Sequence, residues 1–292
     1  MNIFQDKTAV ISGGAEGIGL AVAQALGARG MNIVIADINV EQLQQAEESL
    51  SAAGIPVLAA ELDVANASQW QNVAEQALAR FGKLHMVVNN AGVGGSGGTI
   101  EETDSLTWQW VLDVNLMGVV HGTRAIVPHI KAHGEGGWVV NVASMAGFTS
   151  LPLATPYSAT KAAVVAMTEN WAFELEPEGI HACVLCPGFA QTRIHKSERN
   201  RPQRYSGEAT GGNRSEEELG GMLAKVVEEG MPVAAVAERL VEALQAKELY
   251  VFTHPTYGVL ITSRFRNVEE AFERTKSSEA LADYQDFAMP SF

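Results

Sequence analysis

The chain has 292 residues, 47% hydrophobic and 18% charged, which suffices for a sizeable buried core and is ordinary for a soluble globular protein. With 20 Lys+Arg against 34 Asp+Glu it carries a formal charge of −14, a balance that repels nucleic acid and anionic membrane surfaces, so neither is expected as a partner. The apolar runs are far shorter than a membrane span and the start has no basic segment leading into an apolar one, so a cytoplasmic protein is expected.

Strand-like and helix-like stretches alternate from the start. Thr8 to Ile11 reads as a strand, followed at once by the turn Ser12-Gly13-Gly14-Ala15-Glu16-Gly17-Ile18-Gly19 and an Ala-rich helix from Leu20 to Arg29. Asn32 to Ala36 is a second strand ending at Asp37, and Glu41 to Ala53 an amphipathic helix. Val57 to Leu62 is a third strand, followed by Asp63, and Ser68 to Phe81 a helix closed by Gly82. His85 to Val88 is a fourth strand opening into Asn89-Asn90-Ala91-Gly92. Leu106 to His129 reads as one long helix containing Asn115, and Gly137 to Val142 as a strand ending near Ser144. A helix from Tyr157 to Leu175 is started by Pro156. Ile180 to Leu185 is a strand, Phe189 to Gly230 polar and irregular, Pro232 to Ala246 helical, and Leu249 to Phe252 a short strand. The tail is read as one helix over about 268–276 and a loose end. This alternation predicts an α/β fold with about seven parallel strands and helices on both faces. No repeat or composition break marks a second domain, so 1–292 is read as one domain with a C-terminal extension over about 253–292.

The turn Gly13-x3-Gly17-x-Gly19 lies between a strand and a helix, where glycines let the backbone approach a pyrophosphate and the helix N-terminus offers free N–H groups. Asp37, at the end of the next strand, fits a carboxylate that accepts hydrogen bonds from a ribose, with a helix N-cap as the alternative. Asp37 and Glu16 both oppose a 2′-phosphate, so NAD is expected rather than NADP. Together these features make the fold a Rossmann-type doubly wound parallel sheet.

Tyr157 and Lys161 are four apart, one turn of a helix, so an ammonium beside the phenol is expected to lower the phenol's pKa. That suits an acid/base working on an alcohol. Cys183 and Cys186 form a Cys-x-x-Cys, but on a strand they point to opposite faces and no further ligands stand nearby. They are read as two buried thiols, and no metal is expected.

In their order and spacing these motifs resemble the single-domain branch of the short-chain dehydrogenase/reductase family, over about 7–252. The resemblance implies Asn115, Ser144, Tyr157 and Lys161 as the catalytic four. It implies cofactor contacts from Gly13, Gly17, Ile18, Gly19, Asp37, Asp63, Val64, Asn90, Ala91, Gly92, Tyr157, Lys161, Pro187, Gly188 and Thr192. It further implies a substrate lid over about 189–230, with Ala146, Leu151, Phe189 and Tyr205 as pocket residues for a hydrophobic secondary alcohol or its ketone. Gly94, Phe148 and Leu153 join them as candidates. The other reading is a dinucleotide-binding sensor of the same fold, which would be free to lose Tyr157 or Lys161.

The lid carries a basic run, Arg193, Lys196, Arg199, Arg201 and Arg204 with His195 among them. It fits either an acidic group on the substrate or a solvated loop neutralised by Glu216, Glu217 and Glu218. Trp108, Trp110 and Val111 on one helix and Val164, Met167 and Trp171 on another are apolar enough that a homodimer or homotetramer is expected, with part of this set facing the sheet instead.

Overall fold

The apolar runs form the centre of a computed structural model, which describes residues 2–95, 97–206, 221 and 224–284. Seven parallel strands make one sheet among the described residues: β1 (Thr8–Ser12), β2 (Asn32–Asp37), β3 (Val57–Glu61), β4 (Met86–Asn89), β5 (Gly137–Val142), β6 (Ile180–Cys186) and β7 (Tyr250–Phe252). Their order is β3-β2-β1-β4-β5-β6-β7. The chain therefore moves outward from β1 to β3, returns to pair β4 with β1, and moves outward on the other side. The reversal between β1 and β4 opens a crevice at their carboxyl ends, where open α/β sheets bind ligands.

The helices are α1 (Gly17–Gly27), α2 (Val40–Ala52), α3 (Ala67–Phe81), α4 (Ser105–Leu112), α5 (Gly118–His133), α6 (Thr155–Leu175) and α7 (Val233–Ala246). Period-two alternation divides the strands between two cores. Ala9, Ile11, Ile33 and Ile35 pack with α1, α2 and α7, through residues such as Val22, Leu43 and Leu240. Val10, Val34 and Val87 pack with α3, α4 and α5, through Trp70, Trp110 and Ile126.

The helix expected over 106–129 is real but not uniform. Between α4 and α5 it runs as a π-helical segment, Asp113–Met117, and Asn115 lies inside it. Such wide turns are usual at functional positions. Trp110, Val111 and Val164 are buried within the chain, so they belong to the core rather than to a surface between subunits. Trp108, Met167 and Trp171 are half-buried, and the large apolar side chain that α6 exposes is Phe173, at 77%.

The described chain divides into two compact units, one ending at Thr253 and one beginning at His254. The second contains α8 (Gly258–Lys276), which starts ten residues before the expected helix and buries none of its residues. No helix among the described residues is long and apolar enough to cross a membrane.

Candidate active site

The two strand ends at the sheet reversal are tied together by one serine. Ser12 Oγ accepts from the backbone N–H groups of Asn90 and Ala91, at 3.1 and 3.2 Å. Asn90 Nδ2 donates to the carbonyls of Ser12 and Gly13, both at 2.9 Å. The glycine turn is packed against this knot: a Cβ on Gly19 would lie 2.1 Å from Gly13 O and 2.5 Å from Asn90 Nδ2. Gly13 and Gly17 take left-handed φ values of 61° and 58°, which side chains with a Cβ seldom adopt.

Asp37 is buried, and its carboxylate accepts from Ala15 N–H at 3.2 Å and Asn39 N–H at 3.0 Å. Burial raises its pKa, with the hydrogen bonds from Asn39, Ala15 and Ile38 acting against that. The cap of α2 is Asn39, whose side chain accepts from Gln42 N–H, so the N-cap reading of Asp37 does not apply. α1 has no side-chain cap, which leaves its first turn open to an anion. An uncapped helix start, a glycine-rich turn and a buried acid at the next strand end together fit a dinucleotide.

Farther along the crevice the catalytic candidates converge. Asn115 is fully buried and clasped to the loop after β4: its Oδ1 accepts from Val93 N–H at 2.8 Å and its Nδ2 donates to Val93 O at 2.9 Å. Lys161 is 3% exposed, donates to Val142 O at 2.8 Å and lies 5.5 Å from the Tyr157 ring centre. A Cβ on Gly92 would sit 3.4 Å from Asn115 Oδ1 and 3.5 Å from Lys161 Nζ, which places the loop after β4 directly beside both groups. Ser144 follows β5, its Oγ accepting from Ala146 N–H at 3.1 Å. Ser144 also stands near enough to the Tyr157 hydroxyl to act on its pKa.

The electrostatics differ from the sequence expectation. Burial raises the Tyr157 pKa, and the Ser144 hydrogen bond pulls the other way. Burial also lowers Lys161 to about 8. Its ammonium is directed at a carbonyl of β5, not at the phenol oxygen. Nearby Cys186 is pushed up to about 12 by burial and Cys183 likewise, so both are neutral, inert thiols. Cys183 packs in the α1/α2/α7 core, whereas Cys186 feels Lys161 and Glu169 on α6, as strand alternation requires.

The basic run ties the segment after β6 to the glycine turn and to the loop after β3. The Glu16 carboxylate, in the glycine turn, pairs with the guanidinium groups of Arg193 and Arg199, and Arg193 reaches Gln42 at 3.1 Å. Arg204 pairs with Asp63 at 2.5 Å. Arg201 donates to Thr107 Oγ1 at 3.0 Å and lies 5.1 Å from the Trp110 ring centre. Four of the five cations are therefore held by this chain's own groups, through partners not named at the sequence level. Glu216, Glu217 and Glu218 lie outside the described residues. Glu16 no longer counts fully against a 2′-phosphate, because two guanidiniums balance it.

The pocket candidates separate. Ala146, next to Ser144, is buried, while Leu151 and Phe189 are half-buried. Phe148 instead packs edge-on against Tyr250 and Phe252, at 6.2 and 5.4 Å. Tyr205 is buried, its hydroxyl donating to Asp113 Oδ2 at 2.9 Å. It borders a cavity of about 570 Å³ with Asp63, Leu106, Gln109, His121 and Arg204, which none of the catalytic four lines.

At the opposite, amino-terminal edge of the sheet, His85, His133 and Glu135 bring three potential ligand atoms within 4.8 Å of one another. Their donors are already committed. His85 Nδ1 accepts from Thr8 N–H, His133 bridges Leu84 O and Glu135 N–H, and Lys7 and Lys83 pair with the Glu135 carboxylate.

A family model described as short chain dehydrogenase matches residues 7–203. A crystal structure of a short chain dehydrogenase/reductase from Burkholderia phymatum in complex with NAD is 37% identical, covering 92% of this chain and 96% of that one, with a TM-score of 0.89. A CLA biosynthesis dehydrogenase/reductase of Lactiplantibacillus plantarum is 34% identical over 275 residues, 92% of this chain and 95% of its own. A cyclohexanol dehydrogenase of an Acinetobacter species is 35% identical over 193 residues, 66% of this chain and 76% of its own.

Proposed function

The chain belongs to the short chain dehydrogenase family, and on that premise we propose that it is an NAD-dependent dehydrogenase that oxidises a hydrophobic secondary alcohol, or reduces the matching ketone, with Tyr157 as the acid/base. The observation that carries this reading is the convergence of Tyr157 and Ser144 with buried Lys161, whose Nζ lies 5.5 Å from the Tyr157 ring centre, at the sheet reversal beside the glycine turn and buried Asp37.

Gly13, Gly17, Ile18 and Gly19 would hold the pyrophosphate, Asp37 the adenosine ribose, and Asp63 and Val64 the adenine. Asn90, Ala91, Gly92, Tyr157, Lys161, Pro187, Gly188 and Thr192 would hold the nicotinamide half. When bound, NAD supplies the acceptor for the carbinol hydride, two electrons with one hydrogen nucleus. The remaining proton leaves the alcohol oxygen for Tyr157. Ser144 is a hydroxyl that both donates and accepts, so it orients the same oxygen as it changes from alcohol to carbonyl. Asn115, clasped to Val93, keeps the loop after β4 at a fixed distance from Lys161.

NADH fluorescence with a panel of hydrophobic secondary alcohols tests the assignment. Tyr157→Phe, which keeps the ring and removes the proton, is expected to lower kcat by at least about 100-fold, the usual size of general acid–base catalysis. Turnover equal to wild type would remove Tyr157 from the chemistry. The cofactor reading is tested separately by kcat/KM for NAD against NADP. A preference for NADP would show that Asp37 does not govern the choice.

A further inference from the structure

The lid holds one side chain whose chemistry nothing in its surroundings uses. Both ring nitrogens of His195 are sealed from solvent, and neither has a hydrogen-bond partner among the described residues. A neutral imidazole always presents one donor and one acceptor. The other buried polar atoms in this condition, Asn89 Oδ1, Thr99 Oγ1 and Ser158 Oγ, are single atoms. An unmet pair of this kind marks a place completed by something else.

The chain on both sides of His195 is tied down. Arg193 is held by Glu16, and Arg199 donates to the carbonyls of Arg193 and Lys196, at 2.9 and 2.8 Å. Ser197 donates to Ile194 O and accepts from Gly94 N–H at 2.9 Å. These ties also locate it. Just before His195, Thr192 lies against the glycine turn, 3.4 Å from a Cβ placed on Gly17. Ile194 O is 3.5 Å from a Cβ placed on Gly94, two residues beyond Gly92 and therefore within about 7 Å of the backbone beside Lys161 Nζ. The backbone that carries His195 thus runs between the glycine turn and the loop after β4, next to the proposed site.

We propose that His195 is the lid's recognition group for a second hydroxyl on the substrate, so that the preferred alcohol has an apolar body and a distal alcohol or phenol oxygen. The inference rests on the dehydrogenase reading above. A hydroxyl fits better than a carboxylate, since it satisfies whichever nitrogen faces it, and the guanidiniums flanking His195 are already engaged by Glu16.

The test uses two matched pairs of different span with NAD: cyclohexanol and the diol with hydroxyls at opposite ring positions, and methyl phenyl carbinol and its para-hydroxy derivative. Wild type is expected to favour the dihydroxy member of at least one pair by about tenfold in kcat/KM, the scale of one hydrogen bond. His195→Phe should abolish that preference while leaving the monohydroxy partner's kcat/KM within about threefold, and His195→Gln, which can still donate and accept, should retain part of it. The inference is overturned if wild type shows no preference in either pair, or if His195→Phe keeps the preference. Equal losses on both members in both variants, tracking a lower Tm, would likewise overturn it by making His195 a packing residue. Absence of turnover by wild type on all four alcohols would count instead against the dehydrogenase reading, and the inference would fall with it.

Discussion

A half-buried phenol, Tyr157, and a buried ammonium, Lys161, are expected to govern how activity and stability respond to pH. Tyr157 has its pKa raised by burial, so at neutral pH it is a proton donor, suited to ketone reduction. Alcohol oxidation needs the phenolate, and its kcat/KM is expected to climb steadily as pH rises above neutrality. A flat profile across the alkaline range would contradict that role. Lys161 carries a depressed pKa of about 8 against an ordinary value of 10.5. Between those values the unfolded state holds a proton that the folded state has released, so this residue makes the protein more stable as pH rises from about 8 to about 10. Relative to Lys161→Met, wild type should gain on the order of 3 kcal/mol across that window, read by urea unfolding at each pH. Parallel curves for the two proteins would refute it. The sequence placed Tyr157 and Lys161 correctly as neighbours one helical turn apart. It did not reveal that burial outweighs their mutual field, because desolvation depends on what covers a side chain, not on spacing.

At the scale of elements, Glu16 joins the proposed lid to the glycine turn. Exposed ion pairs contribute about 0–1 kcal/mol each, so the pairs with Arg193 and Arg199 matter more for position than for stability. Glu16→Gln is expected to change unfolding free energy by less than about 1 kcal/mol while speeding trypsin cleavage after Arg193, Lys196 and Arg199. Unaltered cleavage would mean that the strap does not hold the lid. The sheet has a comparable device. Asn89 Nδ2 donates to Thr123 and Asn141, and Asn141 Nδ2 to Thr168 at 2.9 Å, which pins β4 and β5 to α5 and α6. Asn141→Ala leaves buried groups unpartnered and should cost about 1–3 kcal/mol in the same unfolding assay. An effect below about 0.5 kcal/mol, the level of an unremarkable surface change, would deny the network that role.

For the whole molecule, the sheet, both cores and all the candidate site residues lie in the unit ending at Thr253. A chain ending there is expected to fold on its own with a cooperative transition, checked by circular dichroism and thermal melting; a chain without such a transition would show that residues after 253 are needed for the fold. Local pattern was enough to specify the strand and helix order, the glycine turn with Asp37, and the ordering of Asn115, Ser144, Tyr157 and Lys161, because each is expressed within a few residues of backbone. The π-helical turn around Asn115, the early start of α8, the inward packing of Trp110 and Tyr205, and the capture of Arg193, Arg199 and Arg204 by Glu16 and Asp63 were settled only in three dimensions. The guanidiniums are 141 or more residues from their carboxylates in the chain, and no local period records such a meeting. The proposed catalytic residues are thus legible in short motifs, whereas charge pairing and burial depend on which distant segments the sheet brings together.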